Sequence, residues 1–206
     1  MFIRTSTFQA DPSKLDQGIE FARANVPGAL SKLDGSLGWT MLVNRDDGRC
    51  MVNSWWESEK ALKASDKALA PLRKQGGEVL GAPAKPEEWE VVVMERRREI
   101  TPGCGARMTR VRLDPASVDQ GIDVFRTTTV PEVTIMDGFC AVSMAVNRRT
   151  GEALATVIFE NMGAVEATRE KGKQVRATTA EKSHAEILDV HEYELVEARI
   201  SPPEHL

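Results

Sequence analysis

The chain is poor in the residues that carry most covalent and metal chemistry: of 206 residues three are cysteine, three are histidine and one is tyrosine. Cys50, Cys104 and Cys140 are an odd number, widely spaced and without a Cys-x-x-Cys pair. That excludes a disulfide framework and a cysteine zinc site, and no histidine motif beside them suggests an activated thiolate. His184, His191 and His205 lie near the C-terminal end, the first two close to Glu186 and Glu192, without the tight spacing of metal ligands. No metal and no cofactor is expected. No apolar run approaches the roughly 18–20 residues of a membrane span, and residues 1–10 lack the basic start and long apolar core of a signal peptide. Positive charge is not in excess either, since 27 basic residues face 31 acidic ones. Nucleic acid is therefore not an expected partner. The one basic run, Arg96-Arg97-Arg98, is flanked by Glu95 and Glu99 and reads as a solvated connection. With 41% hydrophobic and 28% charged residues, the composition is that of a folded globular protein, and a reduced, cytoplasmic setting is expected.

What the chain does have is itself, twice. Asp11-Pro12 returns as Asp114-Pro115, Asp16-Gln17-Gly18-Ile19 as Asp119-Gln120-Gly121-Ile122, Asp34-Gly35 as Asp137-Gly138 and Asn44-Arg45 as Asn147-Arg148, at an offset of 103 residues. Solenoid units run to roughly 20–50 residues, so each copy is a whole domain. The expected division is a first repeat over 1–98, a linker over 99–105 and a second repeat over 106–206.

Each copy reads as strand, helix, strand, strand, helix, strand. Asp followed by Pro is a helix start, with a side-chain acceptor for free amides and a ring already set to helical φ. Leu15, Ile19, Ala22 and Val26 then fall on one apolar face, and Pro27-Gly28 should kink or end the helix. Arg45-Asp46-Asp47-Gly48 is a turn between two strands. Ser58, matched by Asn161, caps a second helix whose inner face carries Leu62, Ser65, Leu69 and Leu72. Pro71 should kink that helix near its end, and Gly76-Gly77 with 81–86 should form the loop before a last strand at Trp89–Glu95. This order is the ferredoxin-like βαββαβ unit, an antiparallel sheet with helices on one face. A bare second sheet face needs a partner. The expected fold class is therefore α+β, two tandem ferredoxin-like repeats packed as an intramolecular barrel with a cavity between sheet and helices. A further homodimer is compatible with it.

The segment Trp56-Glu57-Ser58-Glu59-Lys60-Ala61-Leu62, with Leu72-Arg73 further along, resembles the antibiotic-biosynthesis-monooxygenase domains of the dimeric α+β barrel superfamily. The second copy has Phe159-Glu160-Asn161 in its place. The resemblance implies a small, flat, aromatic or apolar ligand and a cofactor-independent monooxygenase, in which the substrate's own phenolate or enolate supplies electrons to oxygen. In that pattern an Asn stands four residues before the Trp and a Tyr six after it; here those positions hold Val52 and Leu62, with Asn53 one residue off. Implied site residues are Trp56 as pocket wall, Arg73 holding an anionic group and Asn53 orienting a hydroxyl. Trp39, Trp55, Leu62 and Arg176 are candidates for substrate contact. Haem-degrading members use an Asn on the first strand and a Trp and a His on the second helix; Ser65 and Gln75 occupy the helix positions here, Thr168 and Thr178 in the second copy, which disfavours that route. The alternative is a non-catalytic ligand-binding or interaction module. Because Trp39, Asn53, Trp55 and Trp56 are replaced by Val142, Thr156, Ile158 and Phe159, the first copy is expected to hold the polar-aromatic pocket and the second to be mostly structural.

Overall fold

The computed structural model describes residues 1–200. The first repeat runs β1 (Phe2–Gln9), α1 (Leu15–Leu30), β2 (Ser36–Val43), β3 (Arg49–Trp56), α2 (Glu59–Ala64), α3 (Asp66–Leu80) and β4 (Lys85–Arg96). The second runs β5 (Gly105–Arg112), α4 (Val118–Val124), a π-helical stretch Phe125–Thr129, α5 (Val130–Val133), β6 (Phe139–Asn147), β7 (Glu152–Phe159), α6 (Met162–Ala167), α7 (Arg169–Ser183) and β8 (Glu186–Ile200). The fold is α+β, as expected, and the hydrogen-bonded strand order β1-β3-β2-β8-β5-β7-β6-β4 is closed. Among the described residues no helix is long and apolar enough to cross a membrane.

Two compact units are present, 1–90 with 195–200 and 91–194. They do not coincide with the sequence halves, because the last strand of each repeat, 12 residues in β4 and 15 in β8, is divided between them. Within the first unit β1 lies antiparallel between β3 and β4, with Arg4 opposite Ser54 on one side and Glu88 on the other. Within the second, β5 lies between β7 and β8, with Arg107 opposite Val157 and Glu192.

Strand alternation sorts the side chains. In the first unit Phe8, Trp39, Met41, Val43, Cys50 and Trp56 join Leu15, Ile19, Ala22, Leu62, Leu69 and Leu80 in one buried core between sheet and helices. The second unit repeats it with Val142, Met144, Val146, Phe139, Ile122, Phe125 and Val175.

The caps form as the sequence dictates. Asp11 accepts from the Ser13 amide and Asp114 from the Ala116 amide, both at 2.9 Å, while Ser58 and Asn161 cap α2 and α6. Three expectations are corrected. Pro27 neither ends nor replaces α1, which runs through it to Leu30, where the Ser31 amide closes on the Pro27 carbonyl. Gly76 and Gly77 are helical rather than loop, because α3 presses against its neighbours there: a Cβ on Gly76 would meet the Phe21 ring at 3.6 Å and one on Gly77 the Ala82 carbonyl oxygen at 2.7 Å. The helix ends instead at Gly81, whose φ of 73° suits glycine. Lastly, the second helix is broken at Ser65, giving α2 and α3 with Pro71 inside α3.

Candidate functional site

The break between α2 and α3 is made from a distance. Arg4, on β1 and 2% exposed, faces the helices and sends its guanidinium into the gap. Its Nη1 donates to Ser65 Oγ at 2.7 Å and its Nη2 to the Leu62 carbonyl at 3.0 Å. Its cross-strand neighbour Glu88 completes the set at 2.6 Å and is also bound by Lys63. Burial raises the Glu88 pKa, but the hydrogen bonds from Lys63 and Arg4 outweigh it and the carboxyl titrates below 4.5. The second unit builds the same device from Arg107, which donates to the Val165 carbonyl, to Thr168 and to Glu192, the last at 3.1 Å. A buried charge is tolerable because each is paired and its donors are used.

Beside each device lies an apolar cavity of about 70 Å³ between sheet and helices. In the first unit Arg4, Ser6, Phe8, Met41, Val52 and Ser54 form the sheet wall, while Phe21, Leu69, Leu72, Arg73 and Leu80 belong to the helix wall. In the second, Arg107, Thr109, Met144, Val157 and Phe159 face Phe125, Gly172, Val175, Arg176 and Thr179. The Arg107 guanidinium carbon lies 5.9 Å from the Phe159 ring centre, a cation–π contact that helps hold it at the wall. The lining includes no histidine, carboxylate or cysteine in either unit. Arginines and hydroxyls can bind and stabilise an anion there, but none accepts a proton near neutral pH.

The implied site residues separate into three groups. Arg73 and Arg176 both line their cavities. Arg73 Nη2 is 2.5 Å from Asp66, whereas its Nη1 is buried without a hydrogen-bond partner. Asn53 borders the first cavity, but its side chain turns to the sheet face away from the helices, where its amide donates to Thr40 Oγ1 at 3.1 Å. Trp55 points the same way, with its Nε1 3.3 Å from that hydroxyl. Trp39, Trp56 and Leu62 are core, at 2%, 0% and 1% exposure, and none lines the cavity. Trp56 acts one layer out, donating from Nε1 to Ser54 Oγ at 3.0 Å. A cavity of the same volume stands in both halves, and of the positions at which Trp39, Asn53, Trp55 and Trp56 are replaced by Val142, Thr156, Ile158 and Phe159 only Asn53 and Phe159 reach a lining.

Arg4 and Arg107 were not singled out by sequence reasoning, yet a signal existed. They recur at the repeat offset on strand positions that face the helices, an unusual place for arginine. His184 is the left-handed C-cap of α7, and His191 sits on β8, 3.6 Å from Asp189 and edge-on to Tyr193. His205 lies outside the described residues. Among those described, no three His, Cys, Asp or Glu side chains converge as metal ligands would.

Comparison with known proteins adds both sequence and fold relatives. No protein-family model matches the chain. It is 34% identical over 204 residues to the uncharacterized protein Rv2557 of Mycobacterium tuberculosis, covering 99% of this chain and 91% of that protein. In fold it is similar to an anthrone oxidase-like protein, with a TM-score of 0.73, 16% identity and coverage of 98% and 94% of the two chains. It is also similar to a ferredoxin-fold protein of Listeria monocytogenes related to antibiotic biosynthesis monooxygenases, with a TM-score of 0.55, 7% identity and 96% coverage of each chain.

Proposed function

We propose, for a chain that belongs to the family of the mycobacterial protein Rv2557, a small-molecule-binding role centred on the two arginine-edged cavities. The observation that carries this reading is their repetition: an apolar cleft with an arginine from the second helix and an arginine from the first strand is built in both halves. A flat or extended apolar molecule would lie against Met41, Val52 and Leu72, with an anionic group toward Arg73. Trp56 would act indirectly, by fixing Ser54. If the protein turns its ligand over, the reading is a cofactor-independent monooxygenase acting on a phenolic aromatic. Since no lining side chain is a base, such a substrate would arrive ionised, or lose its proton to water as the neighbouring guanidinium stabilises the anion, and its own phenolate or enolate would supply the electrons to oxygen. A reduced, cytoplasmic setting fits the three buried free thiols.

Two observations favour the second reading, binding without turnover. One is the missing proton acceptor. The other is size: about 70 Å³ is less than half of the roughly 150 Å³ that encloses a benzene in an engineered cavity. A polycyclic ring enters only if α1 and α3 give way. The deciding measurement is a thermal-shift titration with hydroxylated polycyclic aromatics, followed by oxygen uptake with any that stabilise. Stabilisation that is lost in Arg73→Ala together with Arg176→Ala, and oxygen consumption with the same ligand, support the oxygenase; stabilisation without uptake leaves the binding module; no stabilisation by any aromatic sinks the oxygenase.

A further inference from the structure

The two cavities carry the same net charge in their polar rims but place it differently. In the first half Arg4, Lys63 and Arg73 face Asp66 and Glu88; in the second Arg107, Arg169 and Arg176 face Glu166 and Glu192. Asp66 neutralises Arg73 directly, and the buried Leu69 fills the helix turn beside it. At the matching positions the second half has Arg169 and Gly172. Arg169 turns outward, 2.7 Å from Glu192 and 3.4 Å from Glu166, so it takes the available acids away from Arg176. Among the described residues the Arg176 guanidinium has neither a hydrogen bond nor an ion pair. Gly172 lets two guanidiniums come up against the helix backbone and so toward each other: a Cβ there would lie only 2.6 Å from Arg107 Nη1 and 3.1 Å from Arg176 Nη1. Arg107 Nη1 is itself only loosely used, at 3.3 and 3.4 Å from Thr168. Of the lining hydroxyls, Thr129 and Thr179 bond each other at 2.7 Å and Ser183 donates to the Thr179 carbonyl at 2.7 Å. Burial and then the Arg107 charge lower the Arg176 pKa, and the attraction of Glu192 offsets them only in part, though a guanidinium keeps its proton at neutral pH.

Arg107 is already paired with Glu192 at 3.0 Å, but the half-buried Arg176 beside it is not, so an anion at the cleft would relieve the repulsion between the two guanidiniums, and a planar fork matches a carboxylate. We infer that the second-half cavity is a carboxylate site, taking an amphipathic monocarboxylate whose head lies between Arg107 and Arg176 and whose apolar body lies among Val111, Phe125, Met144 and Val157. The inference rests on the reading of the cavities as ligand sites, and it assigns the anion to the second half rather than the first.

The test is an NMR titration of the full chain with hexanoate and, as the uncharged counterpart, hexan-1-ol. Hexanoate is expected to bind at one site per chain, at least about tenfold more tightly than the alcohol. Arg176→Gln is expected to weaken hexanoate by about tenfold to a hundredfold, the usual value of a charge-assisted hydrogen bond, and Arg149→Gln, on an exposed turn away from both cavities, to leave it unchanged. Gly172→Leu, which restores the first-half residue, is expected to abolish hexanoate binding by pushing the Arg107 and Arg176 guanidiniums off the helix; should it fail to fold, the two arginine variants carry the test. Equal loss in Arg149→Gln and Arg176→Gln, no loss in Arg176→Gln, or no binding of hexanoate overturns the carboxylate site. If hexan-1-ol or a phenolic aromatic binds while hexanoate gains nothing from its charge, the ligand-site reading survives alone; if no ligand of any kind binds, that reading falls as well.

Discussion

At the scale of single residues, Trp39 and Trp56 show how burial and hydrogen bonding set different costs for the same side chain. Both are in the core between sheet and helices, but Trp56 Nε1 has Ser54 as acceptor whereas Trp39 Nε1 is buried with none. A buried, unsatisfied donor costs about 1–3 kcal/mol, and removing it recovers part of what the lost ring volume takes away. Trp39→Phe is therefore expected to destabilise less than Trp56→Phe, by about 1–2 kcal/mol in a denaturant titration. Equal losses would show that ring volume alone decides. The same residues mark the limit of the sequence. Adjacent tryptophans on a strand must face opposite ways, and they do, but whether either touches the cavity depends on how far the helices stand off the sheet, which alternation does not encode. Arg73 and Arg176 were legible because a helix position four residues from Leu69 and Gly172 returns at the repeat offset. Arg4 was passed over because a strand arginine looks solvated until the helix break that receives it is known.

At the scale of elements, the starts were legible and the continuations were not. Asp11-Pro12, Ser58 and Asn161 act on amides two or three residues away, so their role is written locally. The break at Ser65 receives a guanidinium 61 residues distant, and Gly77 lies in the helix where a Cβ would meet the Ala82 carbonyl oxygen of the chain folding back after it. Propensity yields to packing in both cases. One helix end retains a cost. The turn after α3 has Gly81 at φ 73°, while the turn after α7 holds exposed His184 at φ 54°. A side chain in the left-handed region costs about 1–3 kcal/mol, against about 0.5–1 kcal/mol for the extra freedom glycine loses on folding. His184→Gly is expected to stabilise the protein by about 1 kcal/mol, raising Tm by about 2–4 °C for a chain of this length. A lowered Tm would mean that the imidazole makes a contact worth more than the strain.

At the scale of the whole molecule, each half has a partly buried carboxylate, at matching strand positions, held ionised by arginine across the sheet. Glu88 and Glu192 are pushed up by burial and pulled below 4.5 by stronger hydrogen bonds, from Lys63 and Arg4 in one case and Arg169 and Arg107 in the other. A depressed folded pKa means that the stabilisation is present above about 4.5 and is lost as pH falls through the folded values. Thermal unfolding followed from pH 7 to pH 3 should show Tm dropping below about pH 4.5. The double variant Glu88→Gln with Glu192→Gln is expected to start lower and fall less, so that the two curves converge in acid; parallel curves would remove these carboxylates as the cause. The duplication has one more consequence. Two identical chains related by symmetry must carry identical sites, so a residue that improves one site changes both. Joined end to end, the copies are free of that constraint: Asp66 and Leu69 can close one arginine while Arg169 and Gly172 leave its counterpart open, and a single polypeptide delivers two unlike sites in fixed one-to-one ratio.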